Sequence, residues 1–112
     1  MSRPHLTRRL TLEGRTQTPD SAGGWTTTWA ALGTHWAHVD ARTGGEMRGP
    51  GGARSRLRLK ITVRAAPEGS PARPRPGQRF REGGRLYHIQ AVALSDAGPH
   101  YLLAHCEEET VQ

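Results

Sequence analysis

The sequence predicts an all-β fold: a small antiparallel β-barrel of six to seven strands with long Gly/Pro-rich loops. Three observations point there. Cationic and apolar residues alternate without a break through 54–64, Arg-Ser-Arg-Leu-Arg-Leu-Lys-Ile-Thr-Val-Arg. Other short runs of strand-forming residues are separated by glycine and proline clusters. No segment combines helical periodicity with caps, and there is no internal repeat. At 112 residues and 34% hydrophobic, residues 1–112 make a single domain with a modest core, and assembly with partners is a natural source of further stability.

The alternating segment defines one strand. Side chains point to opposite faces at successive positions, so Arg54, Arg56, Arg58, Lys60, Thr62 and Arg64 share one face. Ser55, Leu57, Leu59, Ile61 and Val63 share the other. A helix would scatter these charges around its circumference. Like charges in a row repel one another, so an anion from another subunit or a ligand is expected opposite them.

The remaining elements follow in order. Residues 5–12 end in Leu10-Thr11-Leu12 and read as a short first strand. Residues 13–24 are polar, hold Pro19, Asp20, Gly23 and Gly24, and read as a loop. Residues 25–30, Trp-Thr-Thr-Thr-Trp-Ala, are strand formers that also suit an ordered excursion. Residues 35–41 form a strand with Ala37, Val39 and Ala41 on one face. Residues 43–53 hold five glycines and a proline and read as a flexible hairpin tip. After the cationic strand, Pro67, Pro71, Pro74 and Pro76 predict an extended, polyproline-like connector over 65–77. A short strand over 78–82, a Gly83-Gly84 turn and a long strand over 85–94, with Tyr87, Ile89 and Ala91 on one face, come next. A turn over 95–99 leads to a last strand over 100–107 and an acidic tail, Glu107-Glu108-Glu109.

Composition limits the function classes. Net charge is +6, and of the 16 basic residues only Lys60 is a lysine. Arginine suits bidentate contacts with carboxylates and phosphates, although a GC-rich genome produces the same bias. Cys106 is the only cysteine, so an intrachain disulfide is impossible. No apolar run is long enough to span a bilayer. The opening Met-Ser-Arg-Pro-His has no apolar core of a signal peptide, so synthesis and folding are expected in a cytoplasm.

No catalytic, metal or cofactor site is expected. His35 and His38 are three apart, which on a strand sends them to opposite faces and away from a shared metal. Cys106 lies beside an acidic run, and its neighbour His105 points the other way, so a small core residue is the better reading. The glycines of 43–53 lack the Lys-Ser/Thr and following helix of a phosphate loop. Sequence-independent nucleic-acid binding is the serious rival. Residues 42–64 carry seven basic residues against one acid, Glu46. The cationic face carries no aromatic stacking platform, with Trp25, Trp29 and Trp36 placed elsewhere.

The order of segments from Leu6 to Glu108 resembles the head-closure, or stopper, proteins that join head and tail in long-tailed phages and phage-derived gene transfer particles. The resemblance rests on Leu6-Thr7-Arg8-Arg9-Leu10-Thr11-Leu12, Gly24-Trp25-Thr26-Thr27-Thr28-Trp29, Trp36-Ala37-His38-Val39 and Gly45-Glu46. It continues through Leu59-Lys60-Ile61-Thr62-Val63-Arg64, Gly84-Arg85-Leu86-Tyr87-His88-Ile89 and Tyr101-Leu102-Leu103-Ala104. Two departures are Ala65, where the family commonly has an aromatic, and the proline-rich connector.

The resemblance implies a non-enzymatic homo-oligomeric ring at the head-tail junction of a virion or phage-like particle. A portal or adaptor protein would sit above it and a tail terminator or tail tube protein below. Double-stranded DNA would pass through the channel, and no membrane would be involved. Gly44, Gly45, Glu46, Met47, Arg48, Gly49, Pro50, Gly51 and Gly52 would then form a channel loop. Trp25, Thr27 and Trp29, in loop 13–30, would touch a neighbouring ring. Arg54, Arg56, Arg58, Lys60 and Arg64 would face DNA or the next subunit, where Glu107, Glu108 and Glu109 offer an acidic counterpart.

Overall fold

The computed structural model describes residues 4–42 and 57–109. Six antiparallel strands account for most of them: β1 (Arg8–Pro19), β2 (Trp25–Arg42), β3 (Leu57–Arg64), β4 (Arg79–Glu82), β5 (Arg85–Leu94) and β6 (Tyr101–Glu109). They close into a ring in the order β1-β2-β3-β6-β5-β4, with β4 pairing back onto β1. Closure leaves this part of the sheet with no free edge.

The core follows from alternation. Leu59, Ile61 and Val63 of β3 point inward and are buried, as the two-faced pattern predicts. They meet Leu10 and Leu12 of β1, Ala37 of β2, Phe80 of β4, Tyr87 and Ile89 of β5, and Leu102, Ala104 and Cys106 of β6. Arg58 and Arg64 lie on the exposed outer face, with Lys60 half-buried between them. Thr62, also outward, is covered because His38 and Leu103 flank it on the neighbouring strands.

Several boundaries depart from the sequence expectation. The expected loop 13–24 is mostly strand: β1 runs on to Pro19, and only residues 20–24 turn. The segments 25–30 and 35–41 fuse into one strand of 18 residues, so the described residues form six strands and not seven. The glycines and prolines of 13–24 signal a turn but not its length; ladder hydrogen bonds to a partner strand decide how far pairing runs. The last strand extends to Glu109, so the acidic triplet is part of the sheet and not a tail.

Two bulges set which side chains face where. Leu12 pairs with Gly33 but Glu13 with Ala31, leaving Leu32 as an extra residue in β2. Beyond it the parity of β2 flips. Ile89 pairs with Cys106 but Ala91 with His105, leaving Gln90 extra in β5. Ala91 is therefore exposed, not on the Tyr87–Ile89 face, and Val92 packs against the core instead.

The connector 65–77 is a series of turns and not an extended polyproline run. Ser70 N–H donates to Pro67 O at 3.0 Å and Arg73 N–H to Ser70 O at 3.1 Å. Arg73 Nη1 donates to Ala66 O at 2.9 Å and His35 Nε2 to Ala72 O at 2.7 Å, fastening the segment over one end of the closed sheet. Pro74 is fully buried there.

Candidate assembly surfaces

Beyond the Leu32 bulge, β1 and β2 leave the closed sheet together as a two-stranded arm. Glu13 through Pro19 pair with Ala31 through Trp25, a reach of about 23 Å at strand rise. The molecule measures 54 × 37 × 22 Å, elongated as a projecting hairpin requires. At the tip, Asp20 Oδ1 accepts from Ala22 N–H at 2.9 Å and Gly24 N–H at 2.7 Å. Gly23 sits at φ +83°, a conformation that favours glycine. One arm face carries Gly14, Thr16, Thr18, Thr26, Thr28 and Ala30. On that face Thr28 Oγ1 donates to Thr16 O at 3.3 Å and Thr18 Oγ1 to Thr26 O at 3.4 Å.

The other arm face carries Trp25, Thr27 and Trp29 with Arg15 and Gln17. These tryptophans belong to a strand, as the strand-forming residues of 25–30 suggest, and not to an ordered excursion within a loop over 13–30. They do different things. Trp25 is 67% exposed. Trp29 is half-buried, because Arg79 Cζ stacks 4.0 Å from its ring centroid and His88 meets it edge-on at 6.3 Å. Arg79 Nε also donates to Glu13 Oε1 at 2.7 Å, and Arg81 lies 3.3 Å from the other carboxylate oxygen. The arm is thus fastened at its root and free toward its tip, and a lone two-stranded ribbon is marginal in water.

One end of the closed sheet is filled by inward-pointing polar side chains. Arg8 Nε donates to Glu82 Oε2 at 3.0 Å, and Arg8 Nη2 also bonds Glu82 Oε1. Tyr87 Oη donates to Glu82 Oε1 at 2.9 Å and accepts from Arg8 Nη2 at 3.2 Å. Arg85 grips Glu108 with two bonds of 2.6 and 2.8 Å. The bond to Arg8 is the main reason that the Glu82 carboxyl is held below its ordinary pKa. Burial, then the bond to Glu82, pushes the Tyr87 phenol up to about 12. Glu108, proposed from sequence as an interface acid, is thereby held by its own chain; Glu109 lies 3.0 Å from His88.

The cationic row also finds anions at home. Register sets Arg58 across from Glu107 and Lys60 across from Asp40 and His105. Arg64 sits across from Tyr101 and has no acid opposite it, so register offsets the row only in part from within the chain. Arg54 and Arg56, like the channel-loop residues Gly44 through Gly52, lie outside the described residues.

The sequence reading also placed Trp36 away from the cationic face, and the register corrects it. Arg9 pairs with Trp36, the Ala37–Val63 pair sets Trp36 level with Arg64, and Arg64 pairs with Tyr101. All four alternate with the inward Leu10, Ala37, Val63 and Leu102, so all face outward. Sequence reasoning missed this row and the polar plug for the same reason. Their members lie far apart in the chain, Arg8 and Glu82 by 74 positions. Only the strand register brings them together.

Comparison with known proteins supplies the rest. A family model described as phage head completion protein matches residues 1–109. The chain belongs to the phage head completion protein family. Head completion proteins are phage structural components. A chain from a structure described as the virion of a native gene transfer agent particle superimposes with a TM-score of 0.85. It is 45% identical and is covered over 100% of its length, against 98% of this chain. Protein SF1141 from Shigella flexneri 2a shares the fold, with a TM-score of 0.66 at 24% identity over 96% of each chain. No curated protein matches the sequence.

Proposed function

We propose that this head completion protein is a head-tail connector. Copies form a ring below the portal, close the DNA-filled head and present a docking surface to the tail. The observation that carries this reading is the arm. Two paired strands extend from a closed sheet that has already buried its own core, and they expose Trp25 at 67% near the tip. Such a ribbon gains stability by lying against another protein. Trp25 and Thr27 would contact a neighbouring ring, with Trp29 setting the arm's angle. The likeness to a gene transfer agent virion chain supports placement in a particle of that kind.

Loop 44–52 would narrow the channel and move aside as DNA leaves. Five glycines and a proline in this stretch are the composition that motivates the reading. Arg54, Arg56, Arg58 and Lys60 would lie near the DNA or the adjacent copy. The test is genetic and structural together. Loss of the gene should yield tailless heads that fail to retain their DNA, and removing residues 44–52 should leave assembled particles that leak DNA. Sealed heads after that deletion would end the gate reading; normal tailed particles without the gene would end the connector reading.

The exposed outward cations of β3 favour one second reading, a sequence-independent nucleic-acid-binding barrel. It predicts that the isolated monomer shifts duplex DNA in a gel, with affinity falling steeply as salt rises.

A further inference from the structure

Four neighbouring strands bring Arg9, Trp36, Arg64 and Tyr101 into one transverse row on the outer face. The row alternates guanidinium, indole, guanidinium and phenol. Trp36 is 55% exposed, and Arg9 and Arg64 are exposed as well. Among the described residues neither guanidinium has a carboxylate partner, whereas Arg8, Arg79 and Arg85 each do. Strands lie about 4.8 Å apart, so the row spans about 14 Å, the scale of an interface centre and not of a whole interface.

We propose that this row is the hot spot of a docking surface for an acidic protein surface on an adjoining particle component. The proposal rests on the connector reading. Arginine, tryptophan and tyrosine are the residue types that dominate interface energetics. Two unpaired guanidiniums about 10 Å apart can each take a carboxylate in bidentate fashion, while the rings between and beside them exclude water. Charge favours this occupant: the chain carries +6, and the row itself holds no acid. Duplex DNA fits it less well. A duplex keeps its bases stacked inside, so it would engage the arginines and leave Trp36 and Tyr101 idle.

The test places a photo-crosslinking benzoylphenylalanine at position 36 of the full chain, in cells lacking the native gene, and irradiates purified particles. The expected product joins position 36 to a different particle polypeptide, at a peptide bearing at least two carboxylates. Charge reversal of both arginines, Arg9→Glu with Arg64→Glu, should abolish that product and cut tailed particles by tenfold or more, the size of a lost hot spot. Both positions are exposed, so the variant should melt with the native protein. Crosslinking to DNA, to another copy of this chain, or to nothing while the protein is present in the particle would overturn this proposal and leave the connector reading standing. Absence of the protein from particles would overturn both.

Discussion

Tyr87→Phe tests the polar plug most directly. Tyr87 is fully buried, and its hydroxyl is shared between a carboxylate and a guanidinium, donating to Glu82 at 2.9 Å and accepting from Arg8 at 3.2 Å. Phenylalanine fills the same space, so the change removes hydrogen bonds and leaves no cavity of consequence. Bonds to charged groups contribute roughly 1.5–3 kcal/mol each when fully shielded. Here the side chains of Arg8 and Glu82 are 35% and 25% exposed and still bind each other, so water recovers part of the loss. The expected cost is about 1–2 kcal/mol, or a fall in Tm of about 4–9 °C for a domain of this size.

The same variant makes a pH prediction. Glu82 has a folded pKa below its ordinary 4.5, chiefly through Arg8 and secondly, after an opposing burial effect, through Tyr87. A depressed carboxylate pKa adds stability above pH 4.5, and that stability disappears as pH falls through the folded value. Removing the phenol lets the folded pKa rise toward 4.5, so the acid limb of the stability curve should become shallower. Thermal and urea unfolding followed by tryptophan fluorescence from pH 3 to 7 measures both effects. A Tm within about 1 °C of native at pH 7 and an unchanged acid limb would refute the shared hydroxyl.

Two further outcomes follow from β3 and β6. Ile61→Ala should cost roughly 2–5 kcal/mol in urea unfolding, because Ile61 is fully buried, while Lys60→Ala on the opposite face should change stability by less than about 0.5 kcal/mol. Equal losses would disprove the two-faced strand. Cys106 is buried, and that burial pushes its thiol up to about 12. At pH 8 a chromogenic disulfide should label it on the order of a thousandfold more slowly in the native protein than in urea, and comparable rates would place the thiol outside the core.

The contrast between what was legible and what was not has a physical basis. The alternation of β3, the Gly83-Gly84 turn and the span of β5 were readable because each is set by neighbours within a few residues. The arm was misread as a loop because pairing of Glu13–Pro19 with 25–31 depends on a partner strand, and glycines mark only the turn between. Glu107–Glu109 looked like a tail because charge alone does not reveal that Arg85 and His88 wait on the adjacent strand. The facing of Trp25 and Trp29 could not be extrapolated from the strand over 35–41, because one extra residue, Leu32, reverses the parity of everything before it in β2.

By itself, then, the sequence determined an all-β fold, its greasy and cationic strand faces, and membership in a structural phage family. Period-two patterning and turn chemistry are local properties, and the order of such segments is a one-dimensional signature. Tertiary structure alone decided which distant side chains meet: Arg8 with Glu82 and Tyr87, Trp29 under Arg79, and the row from Arg9 to Tyr101. Register and bulges between strands set those meetings, and a shift of one residue would send each side chain to the opposite face.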